Sequence, residues 1–338
     1  MDSLTQIVTG AIAGEQVLGK KIGHRAALGG GIIGTIPDLD VFLIQSSDVV
    51  QGLFIHRGFS HSILFCLFAA PILGFLLKKM HPGKTISIGL WIFYALVILL
   101  TAVGIDYLTG YGASIFWPFS SFRLELNTIA IVDVFFTIPA ITLLILTFAK
   151  KGRIKNYYRK VSIGFIIIYL VFAGSNKLYI HQKFSKAMSD QNISYQKLRT
   201  APLPLTNFLW MGLVKKQDTF LLGYYSLFDS TPIQFSRIEQ HSVYMSHLTS
   251  SPKVKKLIEF TKGWYSVEKD MEALYINDLR FGKMGISETS PFVFRFKIEE
   301  KQDEITIKQI QNTENTGIKE LKPYLRRIFS LHHPRNLK

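Results

Sequence analysis

His56-Arg57-Gly58-Phe59-Ser60-His61-Ser62 sets two imidazoles, a guanidinium and two hydroxyls side by side in one short stretch. Long apolar runs flank it. Upstream stands Pro37-Asp38-Leu39-Asp40, and downstream Asp106 follows another apolar run. Ionisable groups at membrane depth, or at its edge, are costly to keep there, so by default they are functional. Together they imply one metal site at a membrane surface, assembled from separate spans.

The composition agrees. Mean hydropathy is positive, at +0.22, and only 19% of the 338 residues are charged, which predicts a membrane protein. The apolar runs crowd into the first half, whereas the second half reads as a globular domain. The expected architecture is a multi-pass α-helical bundle of five or six spans over residues 1–176, then a small soluble α+β domain with an antiparallel sheet over 177–338. A net charge of +15 favours nucleic acid or anionic lipid. Lys and Arg collect in loops beside the spans, so lipid is the expected partner; no nucleic-acid motif appears and none is expected to bind. The single cysteine, Cys66, excludes an internal disulfide and any CxxC site. No cleavable signal peptide is predicted, because Asp2 stands where a basic start is usual.

Residues 3–19 are spaced as a helix with one apolar side, crossing the bilayer or lying at its surface. Further spans are expected at 26–44, ended by Pro37, and at 62–77, 86–105, 129–149 and 161–175. Residues 45–55 read as a connection and 106–128 as a polar, aromatic loop. Basic loops at 20–25, 78–84 and 150–160 should be cytoplasmic. The Asp38/Asp40 turn, the two histidines, Asp106 and everything after 176 then share the opposite face. Beyond 176 the sequence predicts an amphipathic helix, strands at 220–228, 291–298 and 304–308, a helix at 252–261 opened by Pro252, and a basic helix near 317–330.

Asp38 and Asp40 sit two apart on a chain bent by Pro37, so both carboxylates can face one point. His56 and His61 are five apart and would diverge on a helix, so one must sit on a turn opened by Gly58. Asp106 approaches from the adjacent span. Asp38, Asp40, His56, His61 and Asp106 are therefore the candidate ligands of a divalent metal, Zn first, with Mn or Fe as alternatives. Such a metal acidifies bound water and polarises a phosphoryl or carbonyl oxygen. Arg57 and Asp106 are the candidate catalytic residues, Arg57 clamping an anionic or lipid-linked substrate. Asp133 reads instead as a hydrogen-bonding residue of the bundle, Arg123 as a snorkelling one, and His332-His333 as part of a solvated tail.

These motifs, with Met1-Asp2-Ser3-Leu4-Thr5 and Asp106-Tyr107-Leu108-Thr109-Gly110-Tyr111-Gly112, occur in the order seen in a known family. The chain resembles the LexA-binding, inner-membrane-associated hydrolases, described as membrane-bound metal-dependent hydrolases of bacteria. Trp117-Pro118-Phe119, Arg123 and Ile131-Val132-Asp133 match the same pattern. Pro202-Leu203-Pro204-Leu205-Thr206-Asn207, Trp210 and Asp278-Leu279-Arg280-Phe281-Gly282 resemble the tail of its longer members. The resemblance implies a metal-dependent hydrolase in a bacterial inner membrane. Two positions depart from it: Gln6 and Ala102 stand where the family commonly has histidine. Two functions therefore stay open, a hydrolase acting at the outer face of the membrane and a non-catalytic scaffold or binding protein with a degenerate metal site.

Overall fold

The computed structural model describes all residues except 45–47, 271–272, 288, 302–303, 311–315 and 331–338. His332 and His333 lie outside the described residues. The chain divides into two compact units, Met1–Ser47 with Phe54–Ser175, and Asp48–Leu53 with Asn176–Lys338.

The first unit is helical: α1 (Ser3–Ile22), α2 (Arg25–Thr35), a 3₁₀ turn at Pro37–Asp40, α3 (Val41–Ile44), a second 3₁₀ turn at Phe59–His61, α5 (Ile63–Met80), α6 (Ile88–Leu108), α7 (Val134–Ala149) and the first part of α8 (Gly152–Asp190). Among the described residues, four stretches are long and apolar enough to cross a membrane: Arg25–Ile44, Ile63–Met80, Ile88–Leu108 and Gly152–Asp190; Val134–Ala149 is apolar but shorter. Helix α1 is not one of the four, for a physical reason. It is the inner helix of the unit, with Thr5, Gln6, Thr9, Gly10, Gly14 and Glu15 all buried, so protein rather than lipid surrounds its polar groups. The outer helices show the reverse. Helix α5 buries only Cys66, Ala70 and Gly74, one small residue per turn, while Phe68, Ile72 and Phe75 point outward.

Helices α1 and α2 pack backbone to backbone through small residues. A Cβ added to Gly30 would lie 2.2 Å from the Gly10 carbonyl oxygen, and one added to Gly14 would lie 2.3 Å from that of Ala26. Small residues one turn apart permit this approach in membrane helices. The contact is antiparallel, so the start of α1, with Gln6, lies beside the end of α2. Pro37 then ends α2, and its 3₁₀ turn carries Asp38 and Asp40.

Four expectations about elements change. The stretch 45–55 is not only connection: Val49–Ile55 forms α4. Asp106 does not lie in the loop but in the last turn of α6, where the Thr109 N–H bonds its carbonyl. The span expected at 129–149 begins only after Asp133. Asp133 is the N-cap of α7, accepting from the Phe135 and Phe136 N–H groups and from the Tyr169 hydroxyl at 2.6 Å. The span at 161–175 and the amphipathic helix after 176 are one continuous helix, α8, which runs through Gly174 without a break.

The second unit holds two antiparallel sheets rather than one. β1 (Lys197–Pro202), β2 (Leu209–Lys216), β3 (Thr219–Ser226) and β4 (Phe235–Glu239) form the first, in sequence order. β5 (Tyr265–Lys269), β6 (Leu274–Lys283), β7 (Phe292–Lys301) and β8 (Glu304–Ile310) form the second in the same way. Helix α9 (Pro252–Phe260) precedes β5, and α10 (Thr316–Ile328) follows β8. Strand β2 is buried on both faces. Trp210 packs with Ile180 and Phe184 of α8, while Leu209, Met211 and Leu213 pack with Leu279 and Phe292 of the second sheet and with Trp264 just before it. The period of two predicted for 291–298 appears as buried Phe292, Phe296 and Ile298.

The α1–α2 contact leaves no room for a side chain. Gly30→Leu should therefore destabilise the protein by about 1–3 kcal/mol, the usual cost of overpacking, measured as a lowered thermal unfolding midpoint in detergent. Leu28→Ala, at an outward-facing position of the same helix, should leave it unchanged.

Candidate metal centre

Three ligand atoms converge. Nε2 of His61 lies 3.1 Å from Oδ2 of Asp106 and 3.2 Å from Oδ1 of Asp38. The ligand atoms of these three residues all lie within 4.8 Å of one another. His61 and Asp106 are wholly buried. Three elements supply them: the turn after α2, the turn before α5, and the end of α6.

The hydrogen bonds fix which nitrogen of His61 faces the carboxylates. The Ser60 hydroxyl has one proton, and it donates that proton to Oδ2 of Asp40 at 2.7 Å. Ser60 Oγ also lies 3.0 Å from Nδ1 of His61, so there it can only accept, and Nδ1 must carry a hydrogen. Nε2 is therefore the ring nitrogen that meets Asp38 and Asp106. A lone pair facing two carboxylates is repulsive unless a cation stands between them. Burial disfavours a charged imidazole, but the hydrogen bonds to Asp106 and Asp38 outweigh it and raise the pKa of His61 above its ordinary value. A divalent cation between the three ligand atoms would remove the repulsion.

Asp40 and His56 do not join this cluster. Both oxygens of Asp40 are engaged: Oδ1 with Nδ1 of His56 at 2.9 Å, Oδ2 with the Arg57 N–H at 2.7 Å and with Ser60. Asp40 organises the His-Arg-Gly-Phe-Ser-His turn. Its bond orients His56, whose side chain keeps 28% of its exposure and whose ring centre lies 6.4 Å from that of His61. His61 sits on the turn that Gly58 opens, as expected, in the 3₁₀ segment Phe59–His61, and Arg57 just before it takes the left-handed conformation, at φ 57°. Gly58 is needed because an added Cβ would sit 2.6 Å from the Phe54 carbonyl oxygen.

Arg57 also points inward. Its guanidinium lies 3.2 Å from Oδ1 of Asp106 and donates to Thr109 and to the Met1 carbonyl. The Met1 ammonium donates to the same carboxylate. Arg57 and Arg123 lie over the Tyr111 ring, at 4.9 and 5.0 Å. Arg123 donates to the carbonyl of His56, so it braces the site rather than reaching outward. Gln6 donates through Nε2 to Oδ2 of Asp106 at 2.6 Å. Spacing alone did not reveal Ser60, Thr109 or Tyr111; the signal available was their place inside or next to the two motifs.

The residues present fit a divalent cation. Oε1 of Gln6 is buried without a hydrogen-bond partner, and buried Oδ1 of Asp38 meets the His61 ring at 3.2 Å; buried acceptors left unpaired are costly. Two carboxylates, one imidazole and a nearby amide carbonyl form a mixed oxygen and nitrogen donor set. Ala102 lies one turn before Asp106 on α6, buried and without a donor atom.

The profile of the YdjM inner membrane protein family matches residues 1–180, more than half the chain and all of the residues above. The chain belongs to this family. It is also 28% identical over 181 residues to an uncharacterized protein, YfhP, of Bacillus subtilis (strain 168). That match covers 52% of this chain and 52% of the relative, so the chain spans about half the length of the curated relative it matches. No solved structure matches.

The Ser60 bridge holds the tautomer that leaves Nε2 for a ligand. Ser60→Ala should weaken Zn²⁺ or Mn²⁺ binding by roughly 10–100-fold, the usual effect of losing a bond that orients a liganding histidine. Isothermal titration of the purified protein checks this, and an unchanged affinity would remove the bridge from the account.

Proposed function

We propose that this inner-membrane protein is a metal-dependent hydrolase whose metal is held by Asp38, His61 and Asp106. The observation that carries the proposal is the convergence of those three ligand atoms on one buried point. A bound divalent ion supplies an acidified water and polarises a phosphoryl or carbonyl oxygen. The chain's own groups do the rest. Asp40 holds His56 by Nδ1, which leaves Nε2 to take or give a proton at the edge of the site. Arg57 holds the Asp106 carboxylate in place. Gln6 lies close enough to offer its carbonyl oxygen once its amide is turned.

The proposed substrate is a phosphoester or lipid-linked molecule. An apolar groove of about 560 Å³, lined by Ile7, Ala11, Ala27, Leu28, Gly31 and Thr35 among others, supports the lipid reading. It follows α2 towards the 3₁₀ turn that carries Asp38, a course suited to an acyl chain. The basic segments at 20–25, 78–84 and 150–160, the last of them mostly in the first turns of α8, favour placing the metal site and the soluble unit on the non-cytoplasmic side. The second reading, a binding protein with a degenerate site, draws on Gln6 and Ala102.

Purified protein should contain a stoichiometric divalent metal and hydrolyse a phosphodiester or phospholipid, with both lost on chelation. Asp38→Asn and His61→Ala should abolish turnover while the helical circular dichroism signal stays intact. Metal without turnover would favour the binding protein, and neither metal nor turnover would overturn the metal reading.

A further inference from the structure

Helix α10 carries more apolar surface than the soluble unit covers. One side of it is fixed. Ile328 is buried in the core between the sheets, and the Tyr324 hydroxyl donates to the Pro204 carbonyl. Arg327 donates to both oxygens of Asp229, at 2.7 and 2.6 Å, and Asp229 also bonds the Ser226 N–H. A second side is apolar and open. Leu321, Leu325 and Phe329 recur at i, i+4 and i+8 and are 44%, 42% and 43% exposed. Phe228, from the loop after β3, is 51% exposed and extends the row, its ring 5.7 Å from that of Phe329. Lys322 and Arg326, each one residue beyond a leucine of the row, are exposed beside it.

An apolar row edged by cations on a well-anchored helix has the chemistry of a surface that lies in the headgroup layer of an anionic bilayer. A soluble domain with no such role would cover or break up that row. The same chain carries its own apolar spans, so a bilayer is always present at high effective concentration. The two basic side chains match anionic headgroups, and the leucine and phenylalanine side chains match the acyl region just beneath them. We propose that the Leu321–Leu325–Phe329 face of α10, with Phe228, docks on the surface of an anionic lipid bilayer through apolar insertion and the charges of Lys322 and Arg326. This inference is independent of the metal centre.

The test uses the full chain, spin-labelled at Leu325→Cys and, separately, at Lys322→Cys. Cys66 is buried, and unmodified protein serves as the labelling control. Each protein is reconstituted into phosphatidylcholine nanodiscs with and without phosphatidylglycerol. Paramagnetic accessibility then reports whether each label meets dissolved oxygen in lipid or a water-soluble nickel complex. In anionic discs the label at 325 should show a severalfold higher ratio of oxygen to nickel accessibility than the label at 322. That excess should fall in neutral discs, at high salt, and in Arg326→Glu. A label at 325 as open to nickel as the one at 322 in anionic discs would overturn the proposal. So would spin–spin broadening at 325, which would mean a second copy covers the face, and so would equal insertion in neutral discs, which would remove the role of charge. A second label at Leu321→Cys repeats the measurement at an exposed position, so a local folding failure at 325 cannot decide it.

Discussion

Nε2 of His61, itself wholly buried, faces two carboxylates, and a positive charge between them relieves the repulsion. Much of the helical unit's polar wiring serves that encounter. Ser60 and Asp40 settle the protonation of the far nitrogen, Arg57 supports the Asp106 carboxylate, and Tyr111 lies under both Arg57 and Arg123. Taken singly, each of these bonds is an ordinary contact. Together they hold an imidazole lone pair and two anionic oxygens at one point, which leaves the site ready for a cation.

The helices reach that point because of their glycines. Gly10 and Gly14 of α1 meet Ala26, Gly30 and Gly34 of α2 at backbone distance, and this sets Gln6 next to the turn that carries Asp38 and Asp40. Helix α1 is the least lipid-like of the first unit's long helices and the most enclosed. Its polar residues are therefore directed at other side chains. Asp2 caps it, and Thr5 joins it to Thr137 of α7. The Met-Asp-Ser-Leu-Thr start of the sequence is thus a capping and tethering device as much as a motif.

Much of this was legible in the sequence. Apolar length located the helices, Pro37 located the first turn, and alternation located β7. The convergence of Asp38, His61 and Asp106 followed from placing three polar motifs on one side of the membrane. What the sequence left out was three-dimensional bookkeeping. Spacing cannot say that Asp40 spends both oxygens on His56, Arg57 and Ser60, so five candidate ligands separate into a triad and a supporting pair. Nor can it show that Arg57 turns inward to Asp106 instead of outward to a substrate, or that Arg57 adopts the left-handed conformation. The join of two predicted helices into α8 was hidden because Gly174-Ser175-Asn176 stands at the junction and the second half changes from apolar to amphipathic.

The decisive experiment is X-ray absorption at the K-edge of Zn²⁺ taken up by the purified protein. The ion should have oxygen donors and a single imidazole around it, and the imidazole's multiple-scattering features should disappear in His61→Ala. Protein that takes up no Zn²⁺, Mn²⁺ or Fe²⁺, or an ion with no imidazole around it, would contradict a metal centre built on His61.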